Sequence, residues 1–344
     1  MRAVLGVLFF MLAACGAAYD PMLADGELPP AGPDARLTAR FFGVSTILLS
    51  DGRSGIMSDG FFSRPRLLQA VAPLKPDEGA IGRALERGKV GRGTVRAVLV
   101  AHSHYDHALD SATVATKLDA EIVGSASTCR IARAENFPRD RTRLVEGGEL
   151  LDFDPFRVRV FRSRHTPPPP PPIPPLSGEI AADFHVPARI TAYEEGGTYS
   201  FLIEHGGRTF LIHSSTNFVP GLYAGVRADV VFLGVALLGR QGESFARDYW
   251  NEVVVATGAR LVVPVHWDDF TRPLDAPLEF LGWPDDVAKS MALVRPLAQA
   301  TGVTVKFMPL FEPVDMLKAA RIDAAARNAL PPPTVVRRPP TCPL

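Results

Sequence analysis

Cysteine is scarce in this chain: Cys15, Cys129 and Cys342 are the only three in 344 residues. No disulfide framework can be read from so few, and none stands in the Cys-x-x-Cys spacing of a structural zinc site. Net charge is also lacking. The 37 Lys and Arg are matched by 37 Asp and Glu, which argues against a surface that wraps nucleic acid, where clustered cations dominate binding. Tandem repeats are absent. The apolar run from Val4 to Ala13 behind Arg2 is too short to cross a bilayer but has the length of a signal-peptide core. Histidine numbers only eight, so where those eight fall carries information.

Three of them fall together. His102, His104 and His107, with Asp106, form H-x-H-x-D-H directly after the apolar stretch Val98-Leu99-Val100. Imidazole nitrogens with one carboxylate suit zinc or a neighbouring first-row metal, whereas Mg²⁺ and Ca²⁺ prefer an all-oxygen shell. In an extended segment, residues two apart project to one side, so His102 and His104 can grip one ion. Asp106 and His107 follow where the chain turns into a helix and can face a second ion.

With this motif the chain resembles the metallo-β-lactamase fold superfamily, and the resemblance runs from about residue 38 to 310. Phe42-Gly43-Val44-Ser45-Thr46-Ile47-Leu48-Leu49 and Ile56-Met57-Ser58-Asp59 resemble its opening strands and the acidic residue beneath the metals. His165, closing the strand Phe156 to Arg164, and His266 in Val262-Val263-Pro264-Val265-His266-Trp267 resemble two further metal motifs. The resemblance implies one ion held by His102, His104 and His165 and a second held by Asp106, His107 and His266. Asp59 would orient a ligand histidine from behind. The family's metal-bridging Asp is missing. The matching stretch reads Phe210-Leu211-Ile212-His213-Ser214-Ser215-Thr216, with Ser214 as the best match, and a neutral hydroxyl is a poor ligand beside a carboxylate. One or two ions are therefore expected, zinc first, with Mn²⁺ or Fe as substitutes.

The implied chemistry is hydrolysis by a metal-activated hydroxide, with Asp106 or His213 protonating the leaving group. Phe42-Gly43-Val44-Ser45-Thr46, His104-Tyr105-Asp106-His107 and Pro264-Val265-His266-Trp267 resemble the branch of L-ascorbate-6-phosphate lactonase and N-acyl-phosphatidylethanolamine phospholipase D. A phosphodiester, a lactone or another ester, carried by a small molecule or a lipid, is the expected substrate. The non-enzymatic alternative is a metal-binding envelope lipoprotein with a degenerate site, supported by the lost Asp alone. Redox chemistry at a di-iron site is a third reading, although no flavin or rubredoxin-like domain is attached.

Pattern and resemblance give one fold class: α/β, an αββα sandwich of two mixed sheets with helices outside. Ile81, Ala84 and Leu85 mark an apolar helix face within Asp77 to Arg87. Phe156, Val158 and Val160 alternate with Arg157 and Arg159 as in a half-wet strand. Thr198 to Glu204 and Arg208 to His213 flank His205-Gly206-Gly207 as a hairpin, and Val230 to Leu238 and Leu261 to Val265 read as buried strands. Trp283 to Thr301 has helical spacing with Pro296 inside, and Val303 to Leu310 reads as a last strand.

Four segments are expected: a signal peptide (1–15), a tether (16–37), the hydrolase domain (38–312) with a Pro-rich insertion (166–198), and an extension with a Pro-rich tail (313–344). Leu12-Ala13-Ala14-Cys15-Gly16 resembles a bacterial lipobox, which would make Cys15 the lipidated mature N-terminus. The protein would then be exported and held on the outer membrane, facing the periplasm. Pro167 to Pro172 must be largely polyproline II, a stiff wall beginning one residue past His165 and expected to frame the site entrance. His185 and His205 read as loop and turn residues, and Asp268 and Asp269 as substrate-facing or solvated.

Overall fold

Side chains of the segment Ala97-Val98-Leu99 divide between two cores, Ala97 and Leu99 in one and Val98 in the other. That period of two, in a stretch with no wet face, is what a strand sandwiched on both sides requires. A computed structural model describes residues 26–66, 69, 72–171, 173–321 and 342. The signal segment with Cys15, the first part of the tether, Pro172 and nearly all of the C-terminal tail lie outside the described residues.

The first sheet comprises β1 (Thr38–Phe41), β2 (Ile47–Ser50), β3 (Gly55–Ser58), β4 (Ala97–Leu99), β5 (Glu121–Gly124) and β6 (Thr142–Leu144). The second comprises β7 (Leu150–Phe153), β8 (Phe156–Arg162), β9 (Tyr199–His205), β10 (Arg208–His213), β11 (Val230–Gly234), β12 (Leu261–Val265) and β13 (Thr304–Val305). A last strand, β14 (Pro313–Asp315), returns to the first sheet and pairs antiparallel with β1. The spatial orders are β14-β1-β2-β3-β4-β5-β6 and β13-β12-β11-β10-β9-β8-β7.

Helices close the outer faces. On the first sheet these are α1 (Glu78–Arg87), the single turn α2 (Tyr105–Ala108), α3 (Ser111–Leu118) and α4 (Ala126–Ala134); on the second, α5 (Glu243–Trp250) and α6 (Val287–Thr301). Ile81, Ala84 and Leu85 of α1 pack with Leu48, Met57, Val98 and Ile122, while Leu49, Ile56 and Leu99 share a core with the second sheet. The layers are thus helix, sheet, sheet, helix, as the pattern predicts.

The β9–β10 hairpin turns through Gly206 and Gly207 at φ +57° and +76°, where only residues tolerant of the left-handed region fit. Pro296 does not break α6, which runs to Thr301 and stops at Gly302 in the left-handed conformation. The expected last strand over 303–310 is shorter, reduced to β13 and two isolated bridges, Glu27 with Phe307 and Phe41 with Leu310.

Two boundaries shift. Leu28 and Leu37 are core residues and the Leu28 N–H donates to the Phe307 carbonyl, so 26–37 packs on the domain rather than hanging from it. Past residue 312 the chain still supplies β14, whose Val314 is buried against β1, and a last turn, α7 (Met316–Ala319). Cys129 and Cys342, which the sequence left unpaired, form a disulfide across 213 residues. Cys342 is buried, and its carbonyl accepts from Arg139 Nε at 2.9 Å, so this point of the tail is seated on the domain rather than free.

Candidate metal centre

Parallel strands end on one edge, and loops leaving that edge are where sheet proteins gather polar groups. β3, β4 and β5 run parallel, as do β10, β11 and β12; β8 shares the latter direction because two antiparallel pairings separate it from β10. Asp59 follows β3, His102 follows β4, His165 follows β8 and His266 follows β12. His104 caps α2 with extended backbone, placing Asp106 and His107 in the helix that turns back from the edge.

The six predicted ligand residues come together in two groups: His102, His104 and His165, and Asp106, His107 and His266. Within each group the ligand atoms lie within 4.8 Å of one another. In the first, the three ring centroids form a near-equilateral triangle with sides of 4.6 to 4.7 Å. His102 Nε2 and His104 Nδ1 stand 3.1 Å apart. Tetrahedral zinc with bonds of about 2.0–2.1 Å sets its ligand atoms roughly 3.3 Å apart, so this spacing fits. In the second, Asp106 Oδ2 is 3.3 Å from His266 Nε2 and 3.7 Å from His107 Nε2, again close to a ligand edge. The groups adjoin where the His102 and His107 rings approach to 3.9 Å.

Partners behind the rings decide which nitrogen faces inward. His104 donates its Nε2–H to the Leu176 carbonyl at 3.1 Å, and His165 its Nδ1–H to the Thr166 carbonyl at 2.8 Å. Each keeps its other nitrogen for the centre. His107 donates Nδ1–H to Asp59 Oδ2 at 2.9 Å, and its Nε2 is buried with no hydrogen-bond partner among the described residues. Asp59 is held in turn by Ser45 Oγ–H at 2.6 Å and by the Ala101 N–H at 2.8 Å. A lone pair so prepared and left unused is what a cation site looks like from the protein's side.

Electrostatics point the same way. Burial, with the neighbouring His104 and His107, pushes His165 down to about 3. Burial and the adjoining rings also hold His102 well below the ordinary imidazole value, and burial lowers His104. Neutral imidazole is the ligating form. His107 moves up: burial opposes this, but Asp59 and Asp106 outweigh it. Asp106 stays ionised well below the usual carboxylate range, since His107 and His266 overcome the cost of its burial.

Other predicted residues lie elsewhere. His213 turns away from the two groups: its Nδ1 accepts from Ser200 Oγ at 2.8 Å and Tyr223 OH at 2.9 Å, and its Nε2–H donates to the Asn217 carbonyl at 2.7 Å. Both nitrogens are engaged, so none is free to serve a leaving group. Ser214 is buried, and its hydroxyl has no partner among the described residues, as is true of Ser215 and Thr216 beside it. His185 is an exposed loop residue, and His205 sits at the hairpin turn against Asp51. Asp268 is neither substrate-facing nor solvated but fully buried against Arg64. Asp269 receives the N–H and hydroxyl of Thr271.

Sequence reasoning missed Leu176, which acts through a backbone carbonyl. It also missed Ser103, whose Oγ joins those of Ser125 and Thr128 at 3.2 Å each.

Residues 39–227 match the sequence profile described as the metallo-beta-lactamase superfamily. No curated protein matches the sequence. Among solved structures, CmlA, a diiron β-hydroxylase from Streptomyces venezuelae, superposes with a TM-score of 0.51 at 13% identity, over 83% of this chain and 55% of that longer one. Igni18, a metallo hydrolase from Ignicoccus hospitalis, gives 0.49 at 13% identity over 81% and 97% of the two chains. YhfI, a metallo-beta-lactamase fold protein from Bacillus subtilis, gives 0.46 at 14% identity over 80% and 95%. At such identities the likeness to CmlA shows the fold alone.

Proposed function

This chain belongs to the metallo-beta-lactamase superfamily, and we propose that within it the protein is a metal-dependent hydrolase acting on a phosphodiester, a lactone or another ester. The observation that carries this reading is the pair of three-residue groups, each with its lone pairs turned inward and Asp106 ionised between two imidazoles. The donors fit zinc, five nitrogens to one carboxylate, with Mn²⁺ or iron as substitutes. His102, His104 and His165 would hold one ion and Asp106, His107 and His266 the other. A bound dication supplies Lewis acidity toward a carbonyl or phosphoryl oxygen and brings the pKa of water it binds toward about 7.

The protein's own contribution is orientation and charge. The Leu176 and Thr166 carbonyls and the Asp59 carboxylate fix three of the rings. With His213 engaged by Ser200, Tyr223 and Asn217, Asp106 is left as the one acidic group of the two clusters, and as an ionised carboxylate it would accept a hydrogen bond from the attacking water and so orient it. Five neutral ligands and one carboxylate leave a pair of dications with net positive charge, which favours an oxyanionic substrate.

We further propose that Cys15 anchors the protein as an exported lipoprotein on the outer membrane, within reach of a lipid substrate. The sequence Leu12-Ala13-Ala14-Cys15-Gly16 supports this. Metal analysis of protein purified without added metal, followed by a screen of bis-p-nitrophenyl phosphate, lactones and simple esters, tests the activity. Turnover should vanish with chelator, return with zinc and be lost in His102→Ala. Metal-loaded protein that turns over none of these substrates would leave the degenerate-site alternative standing.

A further inference from the structure

His266 lacks what orients His104, His107 and His165. Its second ring nitrogen, Nδ1, is buried with no hydrogen-bond partner among the described residues. His102 shares that lack, but its ring is wedged among those of His104, His107 and His165 at 3.9 to 4.7 Å. The His266 ring has Phe270 edge-on at 5.8 Å and His107 at 5.1 Å, neither of which holds Nδ1, so the backbone has a direct part in aiming it: the chain leaves β12 in the left-handed region at φ +58°, an unusual conformation for a residue with a Cβ. Its N–H donates to the Val44 carbonyl at 2.5 Å.

Val44 is itself pinned from the other side. Its N–H donates to Asp268 Oδ1 at 2.7 Å, and Asp268 Oδ2 pairs with Arg64 Nη2 at 2.5 Å, with both side chains wholly out of solvent. Arg64 Nη1 adds a bond of 3.3 Å to the Asp269 carbonyl. Three segments meet at this one pair: the β1–β2 turn, the loop after β3, and the loop that carries His266. Gly43 leaves the room for it, since a Cβ there would stand 1.7 Å from Arg64 Nη2 and 2.9 Å from Asp268 Oδ2. A buried ion pair adds little net stability compared with apolar packing of the same volume, so its use here is the geometry it fixes.

We propose that Arg64 and Asp268 are positioning residues for His266: the pair closes a ring through Val44 and thereby sets how tightly the Asp106/His107/His266 group holds its cation. This rests on reading the two groups as metal sites. Neither side chain is required to touch the ion or the substrate.

The test is cobalt(II) titration of the apo full-length protein, followed by visible absorption and calorimetry, with His266→Ala identifying the ion that depends on this group. The double variant Arg64→Met/Asp268→Leu replaces the pair by apolar side chains and should keep the fold, which thermal unfolding checks. It should bind the His266-dependent ion at least tenfold more weakly, while the ion at His102, His104 and His165 keeps its affinity and spectrum. Asp268→Asn, which retains an acceptor for Val44, should fall between this variant and wild type. Unchanged affinity for the His266-dependent ion, or equal weakening of both ions, overturns the proposal. Wild-type protein that takes up no cobalt overturns instead the metal-centre reading on which it stands.

Discussion

Replacing Asp59 by Asn leaves size and shape nearly unchanged and removes one charge, yet three donors now converge on the carboxylate that is lost. His107 Nδ1–H and Ser45 Oγ–H meet Oδ2 at 2.9 and 2.6 Å, and the Ala101 N–H meets Oδ1 at 2.8 Å. An Asn that keeps its oxygen toward Ala101 turns an NH₂ on His107, which must then accept. Its proton moves to Nε2 and points toward Asp106, where the cation would sit. The opposite amide orientation sets the NH₂ against the Ala101 N–H in a fully buried place, which costs about 1–3 kcal/mol for the unsatisfied donors. Either way, metal binding selects a minority state. The expected loss is about 10–100-fold in affinity for the ion at Asp106, His107 and His266, or about 1.4–2.8 kcal/mol. Competition with a chromophoric chelator at pH 7.5 measures it, and the ion at His102, His104 and His165 serves as internal reference. Affinity within threefold of wild type would refute the claim that Asp59 sets the tautomer of His107.

Ser214→Asp adds a carboxylate at a buried position whose hydroxyl has no partner among the described residues, and should tighten the more weakly held of two ions; calorimetric titration showing no gain would remove Ser214 as the site of the lost ligand. Burial holds His213 at about 4, below the roughly 6.5 of an unfolded chain. The unfolded state thus takes up a proton that the folded state refuses, and this group's stabilisation is present above pH 6.5 and lost as pH falls to 4, by roughly 3 kcal/mol. Urea unfolding should show the advantage of wild type over His213→Gln shrinking by about that much between pH 7 and pH 4, and a constant gap would contradict the assignment. Cys342→Ser opens a link spanning 213 residues, for which chain entropy sets a ceiling of about 5 kcal/mol. Reductant should lower the melting temperature of wild type to that of the variant and leave the variant unmoved; a wild type indifferent to reductant would mean that the link does not form.

What the sequence made legible were features that local chemistry writes into residue type. The ligands from His102 to His107 are adjacent, and His165 closes an alternating strand and His266 an apolar run, whose ends a sheet must place on one edge. The hairpin shows in Gly206-Gly207, and α1 in the spacing of Ile81, Ala84 and Leu85. Less legible was anything decided by where a side chain turns after its strand ends. His213 is the last residue of β10 and His266 the first after β12, yet the ring of His213 meets Ser200 and Tyr223 in the interior. Pairings across long separations were also hidden: Arg64 with Asp268, 204 residues apart, and Cys129 with Cys342. A backbone carbonyl such as that of Leu176 leaves no trace in residue identity at all.

That carbonyl changes how the Pro-rich insertion should be understood. A stiff polyproline wall needs no contact with the metals to shape an entrance, and the sequence suggests only that role. In the structure the strap returns at Leu176, whose carbonyl accepts from both His104 Nε2–H and the Glu195 N–H, so the wall ends on a ligand. The strap is in turn fastened to α4: the Ile180 N–H donates to Ser127 Oγ, and Arg130 and Arg133 reach the carbonyls of Ile180 and Ala182. The N-terminal end of the same helix holds the ligand loop through Ser125, Thr128 and Ser103 Oγ, and its Cys129 carries the link to Cys342. Rigidity of α4 therefore bears on His104 twice, from the loop in front of it and from the strap behind it. Stiffness in the prolines and anchoring on α4 act on the same ring, so loosening the insertion is expected to disturb the His102/His104/His165 group as well as substrate access.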